Sequence, residues 1–191
     1  MFINQKLGEL NLKIVYYGPA LSGKTTNVEY IHANVDPSLR TELVSLKTQE
    51  DRTLFFDFLQ LELGRVGGLK PKFNLYTVPG QVIYAASRKL VMEGADGVVF
   101  VADSQAHRLR DNIDLLGNLA IYLARRGQAL SDYPLVMQCN KQDLPNALPP
   151  DELRSRLKQY SMPCLGSVAT EGEGVADTLK MIINLVVSKV I

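Results

Sequence analysis

One eight-residue segment constrains this chain more than any other. Residues 18–25 (GPALSGKT) match the pattern G-x-x-x-x-G-K-[ST] at every defined position. A short apolar run, residues 12–17 (LKIVYY), precedes the segment, and residues 28, 31 and 35 place apolar side chains at helical spacing after it. A strand that turns through such a loop into a helix surrounds phosphate oxygens with backbone N–H groups. The segment predicts a phosphate-binding loop, and alone it indicates only a nucleoside triphosphate.

The residue types within this loop predict separate roles. Lys24 is expected to reach the β- and γ-phosphates, and the Thr25 hydroxyl is expected to bind Mg²⁺. The predicted nucleotide-binding residues of this segment are Gly18, Pro19, Ala20, Leu21, Ser22, Gly23, Lys24, Thr25 and Thr26.

Strand-like and helix-like segments alternate along the chain. Residues 97–102 (GVVFVA) and 135–139 (LVMQC) are continuous apolar runs, typical of a parallel sheet buried on both faces. Residues 53–63 and 73–78 flank a glycine-rich segment and predict a hairpin. The pattern predicts an α/β fold, doubly wound, with a mostly parallel six-stranded sheet and one antiparallel strand, built on the P-loop NTPase plan. Residues 1–191 are expected to form one domain.

A second motif identifies the base. Residues 140–143 (NKQD) follow the apolar run 135–139, which places them at the carboxyl end of a predicted parallel strand. The Asp143 carboxylate can accept from both N1–H and the exocyclic amine of guanine, whereas adenine presents a bare N1 acceptor that would repel it. Charge-assisted hydrogen bonds of this kind are worth about 1.5–3 kcal/mol each. Lys141 can lie along the base plane and Asn140 can tie this loop to the phosphate loop, so the motif predicts GTP.

A third segment follows another short apolar stretch. Residues 167–170 (SVAT) contain Val168 and Ala169, and the Ala169 N–H is expected to reach guanine O6.

Longer segments resemble a known family. Residues 15–19 (VYYGP), 51–58 (DRTLFFDF), 75–81 (LYTVPGQ), 96–105 (DGVVFVADSQ) and 140–147 (NKQDLPNA) are similar to the mutual gliding protein A (MglA) family of bacterial Ras-like GTPases. The resemblance implies a Ras-like G domain that acts as a nucleotide switch for cell polarity and gliding motility. It also implies a Roadblock-fold GTPase-activating partner, MglB.

The resemblance assigns roles in hydrolysis. Gln81 stands where Ras-like enzymes hold the glutamine that positions water, and the Gly80 N–H is expected to contact the γ-phosphate. Arg52 corresponds to an arginine finger supplied by the same chain, although a solvated loop charge is the alternative. With Lys24, Gln81 and Arg52 are the candidate catalytic residues.

Threonine and alanine residues are expected around Mg²⁺ and the γ-phosphate. Thr53 is the expected switch hydroxyl at Mg²⁺ beside Thr25, and Thr48 is its rival. Thr77 stands where Ras-like proteins generally have an aspartate held to Mg²⁺ by water. Ala20 replaces a usual glycine beside the γ-phosphate, and its methyl group is expected to slow hydrolysis.

Composition and the remaining sequence features narrow the expected partners, location and function of the chain. A net charge of +1 predicts no strong attraction to nucleic acid or anionic membranes. The sequence has no recognisable signal peptide, lipid anchor or apolar run of spanning length, so we expect no direct membrane anchor. Its two cysteines cannot build a disulfide framework and fit a reduced, cytoplasmic setting, and we expect the protein to be monomeric by itself. A GTP-binding scaffold with little intrinsic hydrolysis is the alternative function, and an ATP-using kinase or ATPase is disfavoured by the NKQD motif.

Overall fold

A computed structural model describes residues 2–47, 55–80, 85–159 and 161–190. Within these ranges the chain forms five α-helices and eight β-strands. The helices are α1 (Lys24–Asn34), α2 (Ala85–Met92), α3 (Leu109–Ala124), α4 (Pro150–Arg156) and α5 (Val175–Val187). The strands are β1 (Phe2–Asn4), β2 (Glu9–Tyr17), β3 (Val44–Lys47), β4 (Phe55–Glu62), β5 (Lys70–Thr77), β6 (Gly97–Asp103), β7 (Leu135–Asn140) and β8 (Cys164–Ser167).

The strands form one mixed sheet in the order β3-β4-β5-β2-β6-β7-β8, with β1 paired to β2. Strands β5, β2, β6, β7 and β8 run parallel, whereas β4 is antiparallel to β5. The predicted α/β class and the β4–β5 hairpin are confirmed. The described residues contain two strands beyond the six predicted, β1 and β3, which pair antiparallel with β2 and β4. Both have only three or four residues and lack the apolar runs by which the other strands were predicted.

The core lies on both faces of the central parallel strands. Every residue of β6 and β7 is buried, as their continuous apolar runs predicted. Because side chains alternate along a strand, Val98 and Phe100 pack in the apolar layer of α3, while Val99 and Val101 pack in the layer of α1 and α5. Helices thus cover both faces of the central strands, and the carboxyl ends of the parallel strands meet at one edge.

A buried polar network ties α1 to the sheet on one of these faces. The amides of Asn27 and Gln138 exchange two hydrogen bonds, 2.8 and 2.9 Å long. Gln138 also donates to the Thr178 hydroxyl at 3.1 Å, and all three residues are fully buried. Asn27 in addition donates to the carbonyl of Gly23, which links the network to the loop that precedes α1.

Candidate nucleotide-binding site

The phosphate-loop segment, residues 18–25, connects β2 to α1 as predicted. Gly18 and Gly23 have φ angles of 147° and 100°, a region that favours glycine. A Cβ at Gly18 would collide with the carbonyl oxygen of Val101, and one at Gly23 would collide with the Asn140 amide. The glycines therefore permit a backbone path that passes close to β6 and β7 and delivers the loop to the N-terminus of α1.

Lys24 is the charged centre of this loop. Its side chain is only 7% exposed, and its ammonium donates to the carbonyls of Gly18, at 3.1 Å, and Pro19. Burial, together with the Arg88 and Arg108 guanidinium groups, lowers the pKa of Lys24 to about 7, and the Asp57 carboxylate opposes part of this shift. An ammonium that is costly to keep charged gains from anionic partners, so phosphate oxygens suit this position.

Thr25 belongs to a cluster of hydroxyl groups around one carboxylate. Its Oγ1 donates to Asp57 Oδ2 at 2.7 Å, and Thr77 Oγ1 donates to the same oxygen at 2.8 Å. Ser45 Oγ donates to Asp57 Oδ1 at 2.7 Å. A hydroxyl has one proton and two lone pairs, so the Thr25 oxygen, having given its proton to Asp57, retains lone pairs for a cation. The Thr25 hydroxyl oxygen therefore fits Mg²⁺, which prefers oxygen ligands.

Asn140, at the carboxyl end of β7, joins three segments. Its Nδ2 donates to the Ser22 carbonyl at 2.8 Å, and its Oδ1 accepts from the Ala169 N–H at 2.9 Å and from the Ser167 hydroxyl at 3.0 Å. The side chain is 3% exposed. Asn140 therefore ties the NKQD loop to the phosphate loop, and both to the segment after β8, where Val168 is buried.

The other residues of the base-reading loops are positioned as follows. Lys141 adopts a φ of 71° and donates to Asp103 Oδ2 at 2.7 Å, whereas Asp143 is exposed. The Ala169 N–H donates to Asn140 in this structure, so its contact with guanine O6 stays a prediction.

A bridge that sequence reasoning missed runs from the base loop to the phosphate loop. Asp103, at the end of β6, is 1% exposed and binds Lys141. Its Oδ2 lies 3.7 Å from Arg108 Nε, and Arg108 Nη2 donates to the Ala20 carbonyl at 2.8 Å. An acidic residue at the carboxyl end of a predicted parallel strand was the available signal for Asp103. Arg108 carried no such signal.

Gly80 lies beside the phosphate loop, on the side where the γ-phosphate is expected. A Cβ at Gly80 would collide with the backbone of Pro19 and Ala20, so this glycine allows the segment after β5 to approach the phosphate loop. The Pro79 carbonyl accepts from Arg88 at 3.1 Å. The predicted residues Gln81, Arg52 and Thr53, and the rival Thr48, lie outside the described residues.

A family model for the ADP-ribosylation factor family matches residues 1–186. The chain belongs to the ADP-ribosylation factor family of small GTPases. This small GTPase is 53% identical to the mutual gliding-motility protein MglA of Myxococcus xanthus (strain DK1622) over 188 residues, which cover 98% of this chain and 96% of that protein. It is 26% identical to ADP-ribosylation factor-like protein 2 of Arabidopsis thaliana over 174 residues, 87% of this chain and 91% of that protein.

These comparisons confirm the resemblance to MglA and the Ras-like GTPase fold inferred from the motifs. They also support GTPase activity as the enzymatic class. Among the described helices of this small GTPase, none combines the length and the apolar character that crossing a bilayer requires.

Proposed function

We propose that this small GTPase binds GTP with Mg²⁺, hydrolyses it to GDP and acts as a nucleotide-dependent switch in cell polarity or gliding motility. The observation that carries the proposal is the Asn140 tie, which holds the guanine-reading loop and the phosphate loop in one site. An enzyme that distinguishes bases needs both loops in one site, because the triphosphate loop alone accepts any nucleoside triphosphate.

Binding is proposed to divide between the two loops. Backbone N–H groups of residues 18–25 and the N-terminus of α1 take the phosphates, and Lys24 reaches the β- and γ-phosphates. Asp143 accepts the guanine N–H groups, and Lys141 lies along the base. The Gly80 N–H contacts the γ-phosphate. The residues proposed to fill these roles follow the carboxyl ends of β2, β5 and β7, the edge at which α/β sheets bind their ligands.

Hydrolysis is proposed to need an oriented water and added positive charge at the γ-phosphate. Gln81 positions the water, and Arg52 stabilises the transferring group as a finger from the same chain. Thr25 and Thr53 would hold Mg²⁺, which would supply Lewis-acid charge neutralisation at the phosphates. Lys24 supplies a further fixed charge. The γ-phosphate contacts of these residues are proposed to distinguish the GTP state from the GDP state of two switch segments, residues 51–53 and 80–84. Hydrolysis would remove those contacts and so return the protein to the GDP state.

The cellular part of the proposal follows the similarity to MglA. We infer a cytoplasmic protein of one G domain, residues 1–191, monomeric by itself, with a Roadblock-fold GTPase-activating partner. Such a partner would act on the switch segments. Adding the purified partner should raise the rate of phosphate release, and an unchanged rate would remove it from the proposal.

The decisive experiment compares GTP and ATP side by side with Mg²⁺. We expect tight guanine-nucleotide binding, weak adenine-nucleotide binding and phosphate release from GTP alone. The control is the Lys24→Ala variant prepared in the same way, which should release no phosphate. ATP competing on equal terms with GTP would contradict the base assignment, and binding of GTP without any phosphate release would favour a scaffold.

A further inference from the structure

The β4–β5 hairpin places a carboxylate opposite the position where Ras-like proteins carry their metal-site aspartate. Position 77 on β5 is threonine, and Phe58 pairs with Tyr76, so Asp57 on β4 lies opposite Thr77. The Asp57 N–H donates to Thr77 Oγ1 at 2.9 Å, and Thr77 Oγ1 donates to Asp57 Oδ2 at 2.8 Å. The two side chains therefore share one face of the hairpin, and the negative charge sits one strand away from its expected position.

The Asp57 carboxylate also reaches the residue expected to bind the metal ion. Thr25 Oγ1 donates its proton to Asp57 Oδ2 at 2.7 Å. This hydrogen bond orients the Thr25 lone pairs away from the carboxylate and increases the electron density on the hydroxyl oxygen. Carboxylates that accept from a metal ligand in this way set the orientation and basicity of that ligand.

The hydroxyl groups around Asp57 satisfy both of its carboxylate oxygens. It is 9% exposed, and its oxygens accept three hydroxyl donors, from Thr25, Thr77 and Ser45. These donors are neutral, so none of them balances the charge of an ionised carboxylate in this largely buried position. Such a charge is costly without a nearby cation.

We propose that Asp57 is the metal-site carboxylate of this small GTPase and positions Mg²⁺ through Thr25. It takes the role that an aspartate at position 77 has in other Ras-like proteins. The proposal rests on the proposed function, because it requires that nucleotide and Mg²⁺ bind at the phosphate loop. Asp57 is a positioning residue, and it acts on the cation through the Thr25 hydroxyl.

The test measures Mg²⁺ dependence separately from nucleotide binding. Dissociation of a fluorescent GDP analogue is followed at a series of buffered free Mg²⁺ concentrations. The readout is the half-effect concentration, the free Mg²⁺ concentration at which the dissociation rate has fallen by half of its full Mg²⁺-dependent decrease. Asp57→Asn keeps the shape of the side chain and removes the charge. We expect the half-effect concentration to rise about 10–100-fold, as for other partners of metal ligands. The dissociation rate in EDTA should stay within about threefold of the parent.

Two further variants separate the metal role from a structural one. Ser45→Ala removes a hydrogen bond to the other carboxylate oxygen and leaves the charge, so its half-effect concentration should stay within about threefold of the parent. The double variant Asp57→Thr/Thr77→Asp moves the carboxylate to β5, and it should restore the half-effect concentration to within about threefold of the parent. If Asp57→Asn fails to fold, as judged by circular dichroism, this double variant decides the question alone.

The outcomes are distinguishable. An unchanged half-effect concentration in Asp57→Asn would overturn the proposal. A lowered one would also overturn it, because it would show that Asp57 competes with Mg²⁺ for the Thr25 hydroxyl. A double variant that needs about tenfold more Mg²⁺ than the parent would also overturn it. A parent protein that binds no guanine nucleotide in EDTA or in Mg²⁺ would instead refute the proposed function.

Discussion

Replacing Asn140 with alanine removes the tie between the base-reading loop and the phosphate loop. Three hydrogen bonds disappear: one to the Ser22 carbonyl, one from the Ala169 N–H and one from the Ser167 hydroxyl, with lengths of 2.8 to 3.0 Å. The Ser167 hydroxyl can rotate to another partner. The Ser22 carbonyl and the Ala169 N–H are backbone groups and cannot.

The expected magnitude follows from those two backbone groups. A buried donor or acceptor left unpaired costs about 1–3 kcal/mol, so two of them cost about 2–6 kcal/mol before relaxation. Allowing for local relaxation and entry of water, we take about 3 kcal/mol. At 1.4 kcal/mol per tenfold change in an equilibrium constant, this corresponds to about a 10²-fold loss. The loss should weaken nucleotide affinity, because the tie holds in place the loops that surround the ligand.

The assay is GDP affinity by titration, with the unfolding free energy from urea denaturation measured on the same samples. Asn74→Ala is a matched control, because Asn74 pairs with Gln60 and with the Leu12 carbonyl on the sheet, outside the site. It should lower the unfolding free energy and leave GDP affinity unchanged. If folded Asn140→Ala binds GDP within about threefold of the parent, the tie does not organise the site.

Three further predictions concern base choice, turnover and the core. Asp143→Asn should weaken GTP binding about 10²-fold and favour xanthosine nucleotides, whose C2 oxygen accepts from the new amide; unchanged GTP affinity in a titration would refute the base assignment. Ala20→Gly should speed single-turnover GTP hydrolysis about tenfold if the methyl group costs ~1.4 kcal/mol in the transition state, and a variant no faster than the parent removes that hypothesis. Gln138→Leu removes both hydrogen bonds between residue 138 and the buried Asn27 amide and takes away the Gln138 donor to Asn27 Oδ1. The unfolding free energy in urea should therefore fall by about 2–4 kcal/mol at an unchanged slope, and a loss below about 0.5 kcal/mol would contradict this account of the network.

The parts of the site predicted from sequence are those encoded in consecutive residues. The glycine and lysine spacing of residues 18–25 and the NKQD box each occupy a few positions, and apolar runs on one side show that they follow strands. Because parallel strands in a doubly wound sheet end at the same edge, the two motifs could be expected to meet. Asn140 was accordingly predicted to tie the two loops, and the hydrogen bond to Ser22 agrees.

The parts that escaped prediction depend on pairing between distant residues. Arg108 meets the Ala20 carbonyl across 88 positions, and Asp57 meets Thr25 across 32. A one-residue change in the register of the β4–β5 pair would turn Asp57 to the opposite face of the sheet. The strand pattern of residues 53–63 does not specify that register to one residue.

For this protein, then, the amino-acid order alone was enough to predict the nucleotide class, the fold class and the loops expected to carry the chemistry, since each prediction follows from local conformation and short-range periodicity. Tertiary structure decided that the carboxylate beside Thr25 is that of Asp57, and that the cation bound to the phosphate loop at the Ala20 carbonyl is Arg108. Those choices depend on strand register and on the packing of helices against the sheet, and both are settled only when the whole chain buries its apolar surface.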